Sequence, residues 1–410
     1  QYIRGDLQAH FGALRVAEAE LRRVAERYGI ATVRQGMREV IDYTERLTRR
    51  AIREIPDGTY RASDFADTDG ISDRPVKIEV ALTVDGDRII VDFEGSDPPV
   101  AGGINSPMAN TFSAVYYSLK FFLSPDAPAN AGSFRPVEIR LPESCWLNAK
   151  WPSPTIGCTT LTSSKITAAI WMALSKAIPD RVVAPTFSEC NWFVCSVRDP
   201  ASGENFVFSD LPAGGWGGGP ELDGMSVTQD PLGNCANLSA EVAELLFPIR
   251  YEAFEIRNGS AGPGENRGGL GARLAVTLLG PGELSIETSR TRSGAPGVVG
   301  GRSSPPQLLT RVSANGERDV IGGLTNGEWR NPLKLRHFER NEGFEILTTG
   351  GGGFGDPLAR DPEKVLEDVL DEYVSVEDAL NVYGVVIDSK RWQIDHQATA
   401  RARSRVRERA

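Results

Sequence analysis

The stretch Thr348 to Pro357, TTGGGGFGDP, places five glycines among the six residues Gly350 to Gly355. Four adjacent residues without Cβ cost about 0.5 to 1 kcal/mol each, relative to Ala, in regular structure. Such a run belongs where side chains do not fit. The sequence predicts a structural crossing here, with at least one of Gly350 to Gly353 at positive φ and the chain passing close to another backbone. A ligand pressed against the backbone is the functional rival. Two more clusters, GGWGGGPELDG (Gly214 to Gly224) and NGSAGPGENRGGLG (Asn258 to Gly271), suggest several loops converging on one surface.

None of these runs is a phosphate cradle. A P-loop needs G-x-x-x-x-G-K-[ST] between a strand and a helix. In the first stretch no Lys follows, and Asp356 puts negative charge where a phosphate would sit. No βαβ unit surrounds the glycines, so the dinucleotide fingerprint fails too.

With 410 residues, 40% hydrophobic and 24% charged, the chain has room for a large core. A net charge of -10 argues against nucleic-acid or anionic-membrane partners, which select clustered positive charge. AVYYSLKFFL from Ala114 is interrupted by Lys120 and is shorter than the roughly 18 to 20 apolar residues that span a bilayer. A cytoplasmic protein is expected. Five cysteines, Cys145, Cys158, Cys190, Cys195 and Cys235, make an odd count suited to reduced thiols. Cys190 and Cys195 lack the further ligands of a zinc site, so no metal is assigned to this chain. The start, QYIRGDLQAH, has no initiator Met and reads as a processed or truncated end.

Periodicity gives the architecture. Leu7, Phe11, Leu14, Ala17, Leu21, Val24, Ala25 and Tyr28 form one stripe of a helix that Asp6 would cap and Gly29 would stop. TVRQ from Thr32 reads as a capping box for a second helix, striped by Met37, Val40, Thr44, Leu47 and Ala51. An antiparallel helical hairpin over residues 1–55 follows. At Val76 the period changes to two, and Val76 to Phe93 reads as a β-hairpin turning at DGD. Just before it, Asp64, Asp67 and Asp69 lack the late bidentate Glu of a calcium loop and read as a solvated turn. Helices are expected over Thr111 to Leu123 and from about Ser164 to before Pro179. The fold class is α+β, with a mixed region over 56–260, a β-rich glycine-loop region over 261–358 and a helical tail over 359–410. In the tail, Asp361 with Pro362, and SVED from Ser375, mark helix starts.

The order GDLQAHFGALRVAEAELRRVAERYG, IPDGTYRASDFADTDG, GGINSPMANTFSAVYY, PANAGSFRPVEIRLPESCWLN, RNGSAGPGENRGGLG, GAPGVVGG, TTGGGGFGDP and VSVEDALNVYGVV resembles the hydantoinase B and oxoprolinase family along nearly the whole chain. Acetone and acetophenone carboxylases contain related subunits. The resemblance implies a B-type subunit working beside a hydantoinase A-like partner that uses ATP and Mg. The partner would activate a carbonyl or enol oxygen, and this chain would take the activated small molecule onward. Hydrolysis of a cyclic amide is the first reading and ketone carboxylation the second. A non-catalytic scaffold chain is the third.

The resemblance further implies an N-terminal segment before GDL whose Asp and His residues look like a divalent-metal site. This sequence starts after it, so either a separate chain supplies that segment and is an expected partner, or this is a fragment of a longer subunit. His10, His337 and His396 are scattered singly. His10 stands where the family usually has Gln, and Asn258 where it commonly has Asp.

Five residues are candidates for the site. Asp6 is a helix cap or a catalytic acid, and His10 lies one turn further on the same face. Asn105 in GGINSP would orient a substrate carbonyl or cap the next helix. Arg267 in ENRGGLG offers a planar fork for a carboxylate or phosphoryl oxygen, or joins an ion pair. Asp223 approaches the site through its glycine loop or forms a turn.

Overall fold

The alternation of Val76, Ile78, Val80, Leu82 and Val84 puts one apolar face on strand β2 (Val76–Asp85), and all five side chains are buried. Strand β1 (Gly58–Ala66) pairs antiparallel with it, and β3 (Arg88–Asp92) returns through a turn at Gly86, where φ is 59°. Strand β4 (Val137–Arg140) adds parallel to β3. In this computed structural model, which describes residues 2–407, that four-stranded sheet carries the first core. Helices α3 (Met108–Leu123) and α4 (Ser163–Leu174) pack into it, together with Ile52, Ile55 and Trp146. Trp171 of α4 lies 5.2 and 5.3 Å from the rings of Phe121 and Phe122.

The helices that precede this sheet differ from the hairpin expected. Helix α1 (Tyr2–Tyr28) and α2 (Ile30–Ile52) are joined by Gly29 alone, at φ 81°. Of α1's described side chains only Ala25 is even partly covered, so its apolar stripe does not pack along α2. Asp6 is not a cap, because the helix already starts at Tyr2. Thr32 does not cap either; α2 starts two residues earlier, with Gly29 as its N-cap and no side-chain bond. The far end of α2 buries Thr44, Thr48 and Ile52.

Two further sheets face each other. One has the order β12-β11-β10-β14-β8-β7, from β7 (Ile249–Ile256), β8 (Ala272–Leu278), β10 (Leu308–Val312), β11 (Arg318–Thr325), β12 (Glu328–Arg330) and β14 (Gly343–Leu347). The other has the order β13-β9-β5-β6, from β5 (Trp192–Arg198), β6 (Asn205–Asp210), β9 (Gly282–Glu287) and β13 (Arg336–Phe338). Phe193 on β5 lies 5.5 Å from Phe208 on β6 and 5.3 Å from Phe344 on β14, an edge-to-face contact across the sheets. Each such buried ring contributes about 1.5 to 3 kcal/mol over its exposed state. Helix α5 (Ala240–Leu246) leads into β7.

The tail forms a small third core from α6 (Pro362–Leu370), α7 (Val376–Asn381), the pair β15 (Ile387–Asp388) and β16 (Gln393–Ile394), and α8 (His396–Arg407). Asp361 caps α6 by accepting from the Glu363 amide, and Ser375 caps α7 by accepting from the Asp378 amide. Among the described residues no helix is long and apolar enough to cross a membrane. The five cysteines are unpaired.

The tetraglycine is the crossing point of the molecule. The amides of Gly350, Gly351, Gly352 and Gly353 donate to the carbonyls of Ser260, Gly269, Pro185 and Arg302, at 3.1, 3.0, 3.0 and 3.0 Å. In return the carbonyls of Gly351, Gly352 and Gly353 accept from the amides of Gly262, Gly218 and Val298. Three glycine loops therefore bond to one segment in several directions, which a flat sheet does not allow. The φ expectation fails: Gly350 to Gly353 stay outside the left-handed region, and only Gly355, at φ 74°, enters it. Close approach is the reason for glycine here. A methyl at Gly351 would fall inside the envelope of the Trp216 carbonyl, and one at Gly352 or Gly353 inside that of Pro296 or Pro263.

Candidate functional site

The five sequence candidates separate. Asp6 and His10 lie on the exposed α1, in water on both sides. Asn105 is fully buried, and its amide is fully used. Oδ1 accepts from Val100 N at 2.9 Å, while Nδ2 donates to the carbonyls of Val100, Gly102 and Pro154 at 2.9, 2.9 and 3.0 Å. It neither caps α3, whose N-cap is Pro107, nor has a donor to spare for a substrate carbonyl.

Asp223 and Arg267 do come together, in a network that fastens the tail to the glycine loops. Arg360 holds Asp223 with both terminal nitrogens, at 2.6 and 2.8 Å, and also bonds Asp368 at 2.7 Å. Arg267 Nε donates to Asp368 at 2.8 Å, its NH1 donates to the Gly268 carbonyl, and its backbone amide donates to Asp223. Burial pushes the Asp223 carboxyl up, but the hydrogen bonds and charge of Arg360, with Arg267, hold it below the usual range. Asp223 also borders an apolar cleft of about 390 Å³ lined by Val183, Trp216, Leu222 and Met225.

The strongest concentration of reactive groups lies elsewhere, where the first core meets the glycine loops. Asp64 and Asp67, at and just beyond the end of β1, meet Lys165 of α4, Glu189 of the loop before β5, and Arg290 of the loop after β9. All five are buried, and Lys165 and Glu189 have no exposed surface. Arg290 forks onto Asp64 at 2.8 and 2.6 Å. Asp67 accepts from the amide and hydroxyl of Thr291 at 2.6 and 2.7 Å, and from the Arg292 amide at 3.1 Å. Behind Lys165, the buried Asp230 accepts from Ser164 and Thr186 at 2.9 Å each. The solvated turn expected for the aspartates is thus overturned: Asp69, too, is buried, on the amides of Ile71, Ser72 and Gly102.

Three polar atoms in this cluster have no hydrogen-bond partner among the described residues, the Nζ of Lys165, the Oε1 of Glu189 and the Nε of Arg290. The other Glu189 oxygen accepts from the Ser289 amide. Burial draws Lys165 down to about 8, with the Arg290 charge adding to it. Burial lifts Glu189 to about 8 against the attraction of Lys165. The backbone is strained at the same place, since Ser188, Asn191 and Arg290 all have left-handed φ, at 57°, 50° and 54°. Burial thus disfavours the charged form of each group, the ammonium of Lys165 and the carboxylate of Glu189. Thiol chemistry does not compete: burial pushes Cys190 up strongly and Cys195 to about 12.

Sequence reasoning missed this cluster because its members come from four distant segments. One signal was present. Lys165 is the sole charge in SSKITAAIWMAL, a helix otherwise fit for burial on every side.

Among the described residues no three His, Cys, Asp or Glu side chains converge as metal ligands. The amides of Gly350 to Gly353 point at carbonyls of neighbouring loops, not at an opening.

Comparison with known proteins follows the same course along the chain. A family model described as hydantoinase B/oxoprolinase matches residues 1–357. The B component of a putative D-/L-hydantoinase from Pseudomonas sp. (strain NS671), named as a subunit of that enzyme, is 31% identical over 408 residues, covering 96% of this chain and 67% of the relative. The beta component of the caprolactamase of Pseudomonas jessenii, likewise named as a subunit, is 31% identical over 414 residues, covering 97% and 68%. The crystal structure of the ATP-dependent caprolactamase from Pseudomonas jessenii superposes with a TM-score of 0.86 at 29% identity, over 98% of this chain and 70% of that one. A nucleotide-free acetone carboxylase shares the fold, with a TM-score of 0.80 at 21% identity, over 95% and 57%.

Proposed function

The chain belongs to the hydantoinase B/oxoprolinase family, and on that premise we propose that it is the B-type component of an ATP-dependent enzyme that opens a cyclic amide to the acid. The observation that carries this reading is its 31% identity, over nearly its whole length, to subunits named for a hydantoinase and a caprolactamase. Both names denote cyclic amides, and both proteins are named as subunits. An amide is a poor electrophile, and phosphoryl transfer to its oxygen from ATP on an A-type partner supplies the activation.

Ring opening adds water at the phosphorylated carbonyl carbon and breaks the C–N bond, a proton passing to the departing nitrogen; the acyl phosphate so formed takes up a second water and releases inorganic phosphate to give the acid. Among the described residues, Lys165 and Glu189 are buried groups suited to handle that proton, with movement of the strained loops at Ser188 to Asn191 and at Arg290 giving access.

The test is to co-express the chain with its A-type partner and follow ATP-dependent ring opening of hydantoins, lactams and 5-oxoproline. Ring opening coupled to ATP hydrolysis is expected. Carboxylation of acetone or an aromatic ketone with bicarbonate, without ring opening, would replace this reading with the carboxylase one. No turnover by an assembled complex on either class would leave the chain a scaffold.

A further inference from the structure

The exposed helix α1 carries a pattern that neither the core nor the proposed chemistry uses. Ile3, Leu7, His10, Leu14, Ala17, Leu21, Val24 and Tyr28 recur at strict alternating spacings of four and three. That is a heptad seam over the whole of Tyr2–Tyr28. A helix this long runs about 40 Å, and its seam faces water: Ile3 is 78% exposed, Leu14 67% and Leu21 54%. Surface helices that pack on their own body do not leave such a seam open.

The seam and its flanks are complementary to themselves in one orientation. Placed antiparallel on a second α1 with Ile3 against Tyr28, the helix sets Leu7 against Val24, His10 against Leu21 and Leu14 against Ala17, and every seam position meets another. In that register Asp6 flanks Arg27 of the second copy, and the symmetry makes the pair twice. A parallel pairing would set Asp6 beside Phe11 and Glu20 beside Ala25, with no opposite charge. His10, the one polar seam residue, marks the register, as a single polar seam group does in coiled coils.

We propose that α1 is a dimerisation helix, forming an antiparallel coiled coil with the α1 of a second copy of this chain. Gly29, at φ 81°, is the joint from which it projects. The inference rests on α1 alone and stands apart from the ring-opening reading.

Sedimentation velocity of the full chain at micromolar concentration tests it, and a dimer is expected. Leu14→Asp should give a monomer with an unchanged thermal melt, because the residue touches no core. Asp6→Arg should weaken the dimer roughly tenfold or more, since it sets like charges together twice. Adding Arg27→Asp to that variant should restore it. In a Cys235→Ser background, Leu14→Cys with Ala17→Cys should oxidise to a covalent dimer, whereas Ala17→Cys alone should not. A monomeric wild type, a charge swap that fails to restore the dimer, or efficient cross-linking by Ala17→Cys alone would overturn the proposal. So would a chain that dimerises equally well with Leu14→Asp.

Discussion

Arg290 reaches back 226 residues to clamp Asp64, its two terminal nitrogens 2.8 and 2.6 Å from the two carboxylate oxygens, in a site closed to water. The pair ties the end of β1 to the loop after β9, and so joins the first core to the second. Asp64→Asn removes the countercharge and leaves the guanidinium buried, which costs about 3 to 5 kcal/mol. Urea unfolding measures it. A loss of less than about 1 kcal/mol, the value of an exposed pair, would mean that water reaches the site.

Stability should depend on pH through Glu189. Its folded pKa of about 8 lies above the ordinary 4.5, so between these values the folded chain keeps a proton that the unfolded chain has released. The stability from this group is full below about pH 4.5 and is lost as pH rises through 8. Lys165 has the opposite sign: with 8 folded against 10.5 ordinarily, it restores stability as pH climbs from 8 toward 10.5. Unfolding midpoints should therefore fall from pH 5 to pH 8 in the wild type. Glu189→Gln should flatten that fall, and a variant that tracks the wild type would assign it to other groups.

Glycine substitutions should divide sharply by position. Gly351→Ala drives a methyl into the Trp216 carbonyl between hydrogen-bonded loops, and we expect insoluble or unfolded protein, a loss above about 4 kcal/mol. Gly36→Ala lies within α2 with nothing within 4 Å of the new methyl, and should stabilise by about 0.5 to 1 kcal/mol. Soluble expression and denaturant melts separate the two, and a well-folded Gly351→Ala would refute the crossing as the reason for that glycine.

Arg267→Lys tests whether this residue serves the tail or a ligand. Loss of the Nε bond to Asp368 and the NH1 bond to Gly268 should cost about 1 to 2 kcal/mol of stability. KM for the cyclic amide should stay the same in the assembled enzyme. A raised KM with unchanged stability would instead make Arg267 a substrate contact.

What the sequence disclosed is what local physics decides. The hairpin of Val76 to Phe93, the caps at Asp361 and Ser375 and the closeness demanded at Gly350 to Gly353 are all set by neighbours in the chain or by the absence of a side chain. The misreadings have one cause. Asp67 looks solvated in SDFADTDG because its partner Thr291 lies 224 residues away. Asn105 looks like a ligand group until Pro154, 49 residues on, occupies its amide. Asp6 and His10 are drawn together by helical spacing, which fixes a face but not what covers it. Glu189 gave no local signal at all, whereas Lys165 was marked by being the lone charge on an apolar helix.

The tetraglycine crossing also constrains how the chain is made. A ribosome delivers Pro185, Ser260, Gly269 and Arg302 before Gly350 to Gly353, so the acceptors of the crossing are synthesised long before their donors. Until the glycines emerge, those loops remain in water, and the closing contacts span large sequence separations, the kind that form slowly. A nascent chain interrupted before Thr348 would carry three unlatched loops and no α6 to close Asp223 and Arg267. The order of synthesis thus makes the glycine run the last partner to reach these loops, and latching them is expected to follow the collapse of the sheets.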